Sequence, residues 1–352
     1  LQRATDRRTL SARMRTPPTD DELTRFGIGF ADEGPHAVDP TVEWWNESWF
    51  WDWFDADGRV AGHCRVGLHP NQQRAWIWYY HFCDGEWIAV EEPRLPIADL
   101  CRAEPGVAPA GNAVFAYQRW GLGFSWEPDA PLRRGRFRFS GFGRVLSGPR
   151  CGLILPVGAD LCVEALGAAH SMGRARAPGH ESERFPASRF EQPIALRGTL
   201  RAGGVEQPFE GRGERDHSWG PRHWNLEWTF LVLNGDDLRL QCAEARIPNL
   251  PPIRGGYLAR EHTVAIAEAD FEFVYHDEDL TRPVAGSFSA RAEDGTRLAF
   301  EIEPLAAAEI DITHTFAPPE RSVYRRALVR GRRADAQPLL GWVESNRFVG
   351  RS

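Results

Sequence analysis

Along most of the chain, apolar and polar residues alternate in short runs broken by turn residues roughly every 8–12 positions, the rhythm of an antiparallel β protein. Arg136-Phe137-Arg138-Phe139-Ser140-Gly141-Phe142 is the cleanest case. Successive side chains on a strand face opposite ways, so this run has one wet face. Strands are expected at 44–54, 59–68, 74–82, 86–91, 113–118, 121–127, 136–146 and 160–166 in the first half. In the second half they are expected at 194–201, 206–214, 227–233, 238–246, 263–275, 285–292, 297–302, 309–316, 322–330 and 341–344. Asp55-Ala56-Asp57-Gly58, Cys83-Asp84-Gly85, Ala202-Gly203-Gly204, Asn234-Gly235-Asp236-Asp237 and Glu293-Asp294-Gly295 supply the hairpin turns. Thr19, with Glu22 three residues on, caps one short helix. The pattern predicts an all-β chain of two tandem antiparallel β-barrels packed together. An N-terminal extension would cover residues 1–40, the first barrel 41–187 and the second 188–352, with a Gly-, Ala- and Pro-rich crossing over 167–187.

Composition narrows the function. At 352 residues the chain is too long for one ordinary small domain. A net charge of −7, from 42 basic and 49 acidic side chains, argues against a nucleic-acid partner. The six cysteines form no Cys-x-x-Cys pair, so they are expected to be free thiols in a reducing, cytoplasmic setting. No run of 18 apolar residues provides a transmembrane segment, and Leu1–Thr16 lacks the apolar core of a signal peptide. Because the first residue is Leu rather than Met, the native chain is expected to begin further upstream. Fourteen Trp and 20 Phe against two Met fit either strand cores or the lining of a ligand cavity.

Chemistry concentrates in Arg215-Asp216-His217-Ser218-Trp219-Gly220-Pro221-Arg222-His223-Trp224. An acid among indoles can keep its proton through desolvation, and the indole faces can stabilise a cation. Equally, Asp216 and Arg222 could form a buried ion pair with Trp219 and Trp224 as packing. A second cluster, Glu43-Trp44-Trp45-Asn46-Glu47, opens the first strand, with Trp45 and Glu47 on one face and Trp44 and Asn46 on the other. In a third run, Trp78 and Tyr80 share one face and His81 takes the other. No phosphate loop, nucleophile elbow or zinc-protease motif occurs. The best histidine spacing is His217 with His223, so no metal and no cofactor is expected.

The Asp216–Arg222 run resembles the Asp-x-Ser-Trp-Gly-x-Arg signature of the hydroxyneurosporene synthase (carotenoid 1,2-hydratase) and AttH-like superfamily, and Glu43-Trp44-Trp45 resembles its Glu-Trp-Trp element. The sequence looks closer to an uncharacterised bacterial branch than to the carotenoid enzymes. The resemblance implies two lipocalin-like barrels with a ligand cavity near their interface. It also implies Asp216 as proton donor to an alkene.

The expected activity is therefore that of a cofactor-free hydratase, isomerase or cyclase acting on an apolar terpenoid- or steroid-like small molecule. Asp216 and His217 would be catalytic. Glu43, Trp44, Trp45, Asn46, Glu47, Trp78, Tyr80, His81, Trp219, Arg222 and Trp224 would line the substrate. The alternative is a non-catalytic lipocalin-like carrier of a hydrophobic ligand. A homodimer is compatible with either reading.

Overall fold

A computed structural model describes residues 18–107, 109, 111–171, 188–222, 226–246, 251–276, 279–312, 322–333 and 336–348. It is nearly all β, with two antiparallel sheets that each close a ring of eight strands. The first sheet contains β1 (Trp45–Phe54), β2 (Val60–His69), β3 (Arg74–Cys83), β4 (Glu86–Pro96), β5 (Cys101–Arg102), β6 (Phe115–Arg119), β7 (Leu122–Ala130), β8 (Arg134–Val145), β9 (Ile154–Ala165), β10 (His170–Ser171), β11 (Ser188–Ala202) and β12 (Val205–Pro221). Its ring runs β9-β11-β12-β1-β2-β3-β4-β8 and back to β9. Strands β7, β6 and β5 extend the sheet beyond β8, and β10 hangs on β11. The second ring is an up-and-down meander of β13 (Glu227–Asn234), β14 (Arg239–Arg246), β15 (Ile253–Ala259), β16 (Thr263–His276), β17 (Asp279–Ala292), β18 (Arg297–Ile310), β19 (Ser322–Arg332) and β20 (Leu339–Phe348).

The strand assignment differs from expectation at the domain boundary. Residues 188–221, assigned to the second barrel, are hydrogen-bonded into the first sheet. β12 pairs with β1 from Trp45↔Pro221 to Phe54↔Arg212, and β11 pairs with β9. A ring needs strands between β1 and β9, and these two supply them. The Gly- and Pro-rich crossing therefore leads into the closing strands of one barrel rather than out of it. Strand β15 is not among the expected strands, and the Pro251, Pro252, Gly255 and Gly256 around its start are residues that strands disfavour. Gly256 is needed there, since a Cβ would lie 2.1 Å from the Gln241 carbonyl oxygen. The stretches expected at 297–302 and 309–316 join into β18, with a register shift at Pro304; residues 313–316 lie outside the described residues. The Thr19 cap forms as expected, accepting the Glu22 amide at 3.2 Å.

The aromatic excess is explained by burial on both faces of the same strands. Trp49, Trp51 and Trp53 of β1 enter the first barrel, where Tyr79, Phe115, Trp126, Phe137 and Phe139 fill its interior. Phe50 and Phe54, on the opposite face, join Trp76, Trp78, Tyr80 and Trp87 against the outside of the second barrel, which offers Ile310, Tyr324, Leu328 and Trp342. A sheet covered on both sides shows no alternation, which is why β1 reads as an almost unbroken aromatic run. A separate set around Leu231, Leu240, Phe288 and Phe300 fills the second barrel. The barrels are also joined by an enclosed ion pair: Arg326 Nη2 of β19 lies 2.8 Å from Asp52 Oδ2 of β1, and both side chains are fully buried.

Candidate functional site

Strands β1 and β12 carry most of the residues singled out in the sequence. Their pairing places Ser48 opposite Ser218, Phe50 opposite Asp216 and Trp49 opposite His217. The alternating pleat then divides these residues between two faces.

The face toward the second barrel forms a cleft lined by Ser48, Arg65, Trp78, Asp216 and Arg222 from the first sheet. Trp228, Tyr324 and Glu344 close it from the second. It is narrow and partly open to solvent, with a free volume of about 30 Å³. Asp216 accepts from Arg189 Nη2 at 3.0 Å, and Arg189 Nε donates to Glu191. Glu191 is 1% exposed, and its Oε2 has no hydrogen-bond partner among the described residues. Burial pushes the Glu191 carboxyl well above the ordinary glutamate range; Arg189 opposes the shift and Asp216 reinforces it. Burial and the nearby Asp216 charge thus favour the protonated form of Glu191. Glu214, deeper on the same face, is likewise pushed up by burial and by Glu191, and Tyr257 Oη sits 2.6 and 2.7 Å from its two oxygens.

The opposite wall of the cleft is cationic. Arg65 is buried, donates to Asn46 Oδ1 at 2.7 Å and lies 5.1 and 5.2 Å over Trp76 and Trp78. Burial and the Arg222 charge bring its pKa down to about 9. Burial and Arg189 bring Arg222 down to about 10. Arg222 Nη1 donates to Ser218 Oγ at 3.3 Å, which in turn lies 2.9 Å from Ser48 Oγ. Desolvated guanidinium groups that repel one another favour an anionic or strongly hydrogen-bonding oxygen beside them.

The face toward the first barrel holds a different set. His217 Nδ1 lies 2.7 Å from the Asp32 carbonyl oxygen and Nε2 lies 3.3 Å from Glu47 Oε1. His36 Nδ1 approaches the same Glu47 oxygen at 2.9 Å. Trp219 stacks on His36 with ring centroids 3.8 Å apart, and Trp49 stacks on His217 at 4.4 Å. Below them Glu33 holds Arg215 through contacts of 2.7 and 2.8 Å.

The profile of the domain of unknown function DUF7064 matches residues 29–349. The chain belongs to the DUF7064 family. Among curated proteins none matches this sequence. The DUF7064 chain shares its fold with crystal structures of an AttH-like protein from Nitrosomonas europaea, of CghA and of kievitone hydratase from Nectria haematococca. The first superposes with a TM-score of 0.60 at 15% identity, over 95% of this chain and 100% of that one. CghA gives 0.59 at 15% identity over 89% and 94% of the two chains, and has also been solved with Sch210972. Kievitone hydratase gives 0.53 at 11% identity over 96% and 98%. At these identities the likeness shows the fold, and the AttH-like architecture expected from the Asp216 motif is present.

Several expected groupings are not formed in the DUF7064 chain. Asp216 and His217 point to opposite faces, so His217 cannot position a water for an acid at 216. Glu47 lies on the His217 side, and Trp219 stacks on His36 instead of covering Asp216. His81 is fully buried on the face of β3 shared with Tyr79, inside the first barrel, and burial brings it down to about 4. Tyr80 faces the second barrel but donates to Glu91 and the Glu309 carbonyl. Glu43 is exposed, with its carbonyl accepting from Gln72; the Trp44 carbonyl accepts from the Arg222 amide at 3.0 Å, and Trp45 is half-buried. His223 and Trp224 lie outside the described residues. Asn46, Trp78, Asp216 and Arg222 do come together. The direct ion-pair partner of Asp216 is Arg189, not Arg222.

Sequence reasoning missed Arg65, Arg189, Glu191, Tyr324 and Glu344, which reach the cleft only through strand register. The alternation Arg189-Phe190-Glu191 was a usable signal, because it puts two charges on one face of a strand whose other face carries Phe. A more open groove of about 600 Å³, lined by Phe273, Gly286 and Ile302 among others, contains none of the expected residues.

Proposed function

We propose that the cleft between the barrels is the active site of a cofactor-independent enzyme of the hydratase, isomerase or cyclase type. The observation that carries this reading is the Glu191–Arg189–Asp216 group, which sets a buried carboxyl pushed up by its surroundings behind a cleft walled by Trp78 and Trp228. Glu191 stores the proton, and Asp216 is the carboxyl that reaches the cleft. An alkene protonated there yields a cation that the indole faces stabilise, each contact contributing about 0.5–2 kcal/mol when desolvated. Water, a lost proton or an internal nucleophile then decides between hydration, isomerisation and cyclisation. Arg65 and Arg222 suit a substrate that is mainly apolar, terpenoid- or steroid-like, but carries one carboxylate or enolate. The shared fold with a protein named as a hydratase supports the reading.

The small volume and the Arg189–Asp216 pair favour a second reading, a carrier whose charged cleft is structural. One experiment separates the two. Terpenoid and steroid alkenes, with and without a carboxylate, are incubated with the protein in D₂O, and products are followed by mass spectrometry. Deuterium incorporation that disappears in Glu191→Gln and Asp216→Asn, with ligand binding kept, supports the enzyme. Binding without any deuterium uptake in the wild type, together with variants that lose only stability, supports the carrier.

A further inference from the structure

The cluster at the mouth of the first barrel is independent of the cleft. His36 Nδ1 and His217 Nε2 converge on one atom, Glu47 Oε1, at 2.9 and 3.3 Å. The donor atoms of all three residues lie within 4.8 Å of one another. In a tetrahedral zinc site, with bonds of about 2.0–2.2 Å, ligand atoms stand roughly 3.3 Å apart. The two nitrogen–oxygen spacings already match that value to within about 0.4 Å, and side-chain rotation that brings the imidazole nitrogens together would set three ligands around one ion.

The outer nitrogens make the stronger argument. His217 Nδ1 is held by the Asp32 carbonyl oxygen at 2.7 Å, and His36 Nε2 faces Asp32 Oδ1 at 3.3 Å. All four imidazole nitrogens thus face acceptor oxygens, whereas a neutral imidazole carries one proton. With the outer nitrogens protonated, each inner nitrogen presents a lone pair to the Glu47 carboxylate, which is itself an acceptor. Lone pairs facing a carboxylate oxygen require positive charge between them: either two protons, one on each ring, or one dication. A histidine whose far N–H is fixed by a carbonyl or carboxylate is the usual arrangement behind a metal. Here a single residue, Asp32, provides both such contacts, and its own Oδ2 is pinned by the Gly29 amide at 2.7 Å. Glu47 and His217 are buried at 3% and 1% exposure, whereas the His36 side chain is 18% exposed, so the cluster is reached from solvent on the His36 side.

We propose that His36, Glu47 and His217 bind a divalent transition-metal ion of the zinc class, with Asp32 orienting both imidazoles. The chemistry of the ligand set, two imidazoles and one carboxylate, suits Zn²⁺ or Co²⁺ better than Ca²⁺ or Mg²⁺.

The full chain, stripped with a chelator, is titrated with Co²⁺ and then Zn²⁺. The expected result is one ion per chain, with visible Co²⁺ absorption of tetrahedral or five-coordinate strength that Zn²⁺ bleaches. His36→Gln, at a partly exposed position, should weaken binding by more than the roughly 10–100-fold that loss of an outer-shell partner costs, and Asp32→Asn should fall within that range. Exposed His262→Gln should leave binding unchanged. Wild-type protein that takes up no Co²⁺, or uptake that His36→Gln and Glu47→Gln leave intact, overturns the proposal and makes the cluster a protonated hydrogen-bond network. The wild-type spectrum decides this even if a variant fails to fold.

Discussion

Removing Arg326 should uncouple the two barrels, and the penalty should depend on pH in a defined direction. The guanidinium is fully buried between rings, 2.8 Å from Asp52 Oδ2 and 3.3 Å from Glu344, with Phe50 and Trp342 at 4.5 and 5.1 Å. Asp52 also accepts the Glu214 amide at 2.8 Å. Arg326→Met keeps much of the volume but leaves the Asp52 charge without its ion-pair partner, a loss of about 3–5 kcal/mol. Burial already outweighs the pairing in the wild type and pushes Asp52 up to about 6, from 3.8. Between those values the folded chain holds a proton that the unfolded chain has released. The contribution is therefore full below about 3.8 and is lost as pH rises through 6; a shift of about two units corresponds to roughly 3 kcal/mol. Without Arg326 the same proton is held to higher pH. The cost of Arg326→Met should be about 3–5 kcal/mol at pH 8 and shrink below about 2 kcal/mol at pH 5, where Asp52 is largely neutral. Asp52→Asn/Arg326→Met should recover much of the loss, because the fully buried Asp52 charge is no longer stranded and Glu344 keeps its contact with Trp228. Urea unfolding followed by Trp fluorescence at both pH values gives all three numbers. A single variant that costs the same at pH 5 and pH 8, or a double variant no better than the single, refutes the reasoning.

Two further stability predictions follow from the same packing. Glu33 is 1% exposed and binds Arg215, Trp126 Nε1 and the Leu132 amide, so Glu33→Gln should cost about 3–5 kcal/mol by stranding Arg215, read as a urea midpoint. Burial works against the Glu33 charge, but Arg215 and the hydrogen bonds hold its carboxyl below the ordinary 4.5. Its contribution is therefore full above 4.5 and is lost as pH falls through the folded value, so wild type should lose stability on acidification and Glu33→Gln should lose less. Gly213→Ala places a Cβ 1.9 Å from the Asp52 backbone oxygen, where β12 meets β1. About 3 kcal/mol or more should be lost in a thermal melt, and a variant as stable as wild type would contradict that register.

The strands were legible because turn residues and period-two runs are local signals. Arg136–Phe142 lies within β8, and the Asp84-Gly85 turn joins β3 to β4 as read. What could not be read was which strands close which ring. The composition shift after residue 166 marks a crossing, and only hydrogen bonding shows that β11 and β12 return to the first sheet. The aromatic excess pointed toward a cavity, yet it reflects strands buried on both sides, with Trp51 in one core and Phe50 in another. The candidate site was half legible. Asp216, Trp78 and Arg222 share a cleft and Asn46 holds its Arg65, but Arg189 and Glu191 are reached through β11 register, and His36 lay in the stretch taken for an irregular extension.

The separation of Asp216 from His217 was, in contrast, within reach of the sequence. Adjacent residues on an extended strand cannot serve one target, because their side chains leave the backbone on opposite faces. An acid followed directly by a histidine therefore argues for two sites whenever the run is a strand, and for one only if a turn or bulge intervenes. Gly220 and Pro221 make no turn here, since β12 stays in register with β1 through Pro221. The same parity assigns Ser48, Phe50, Asp216 and Ser218 to the space between barrels, and Glu47, Trp49, His217 and Trp219 to the first barrel's mouth. One strand pair thus carries a charged, proton-holding cleft on one side and a histidine–carboxylate cluster on the other, and the crowding of polar and aromatic residues follows from supplying both.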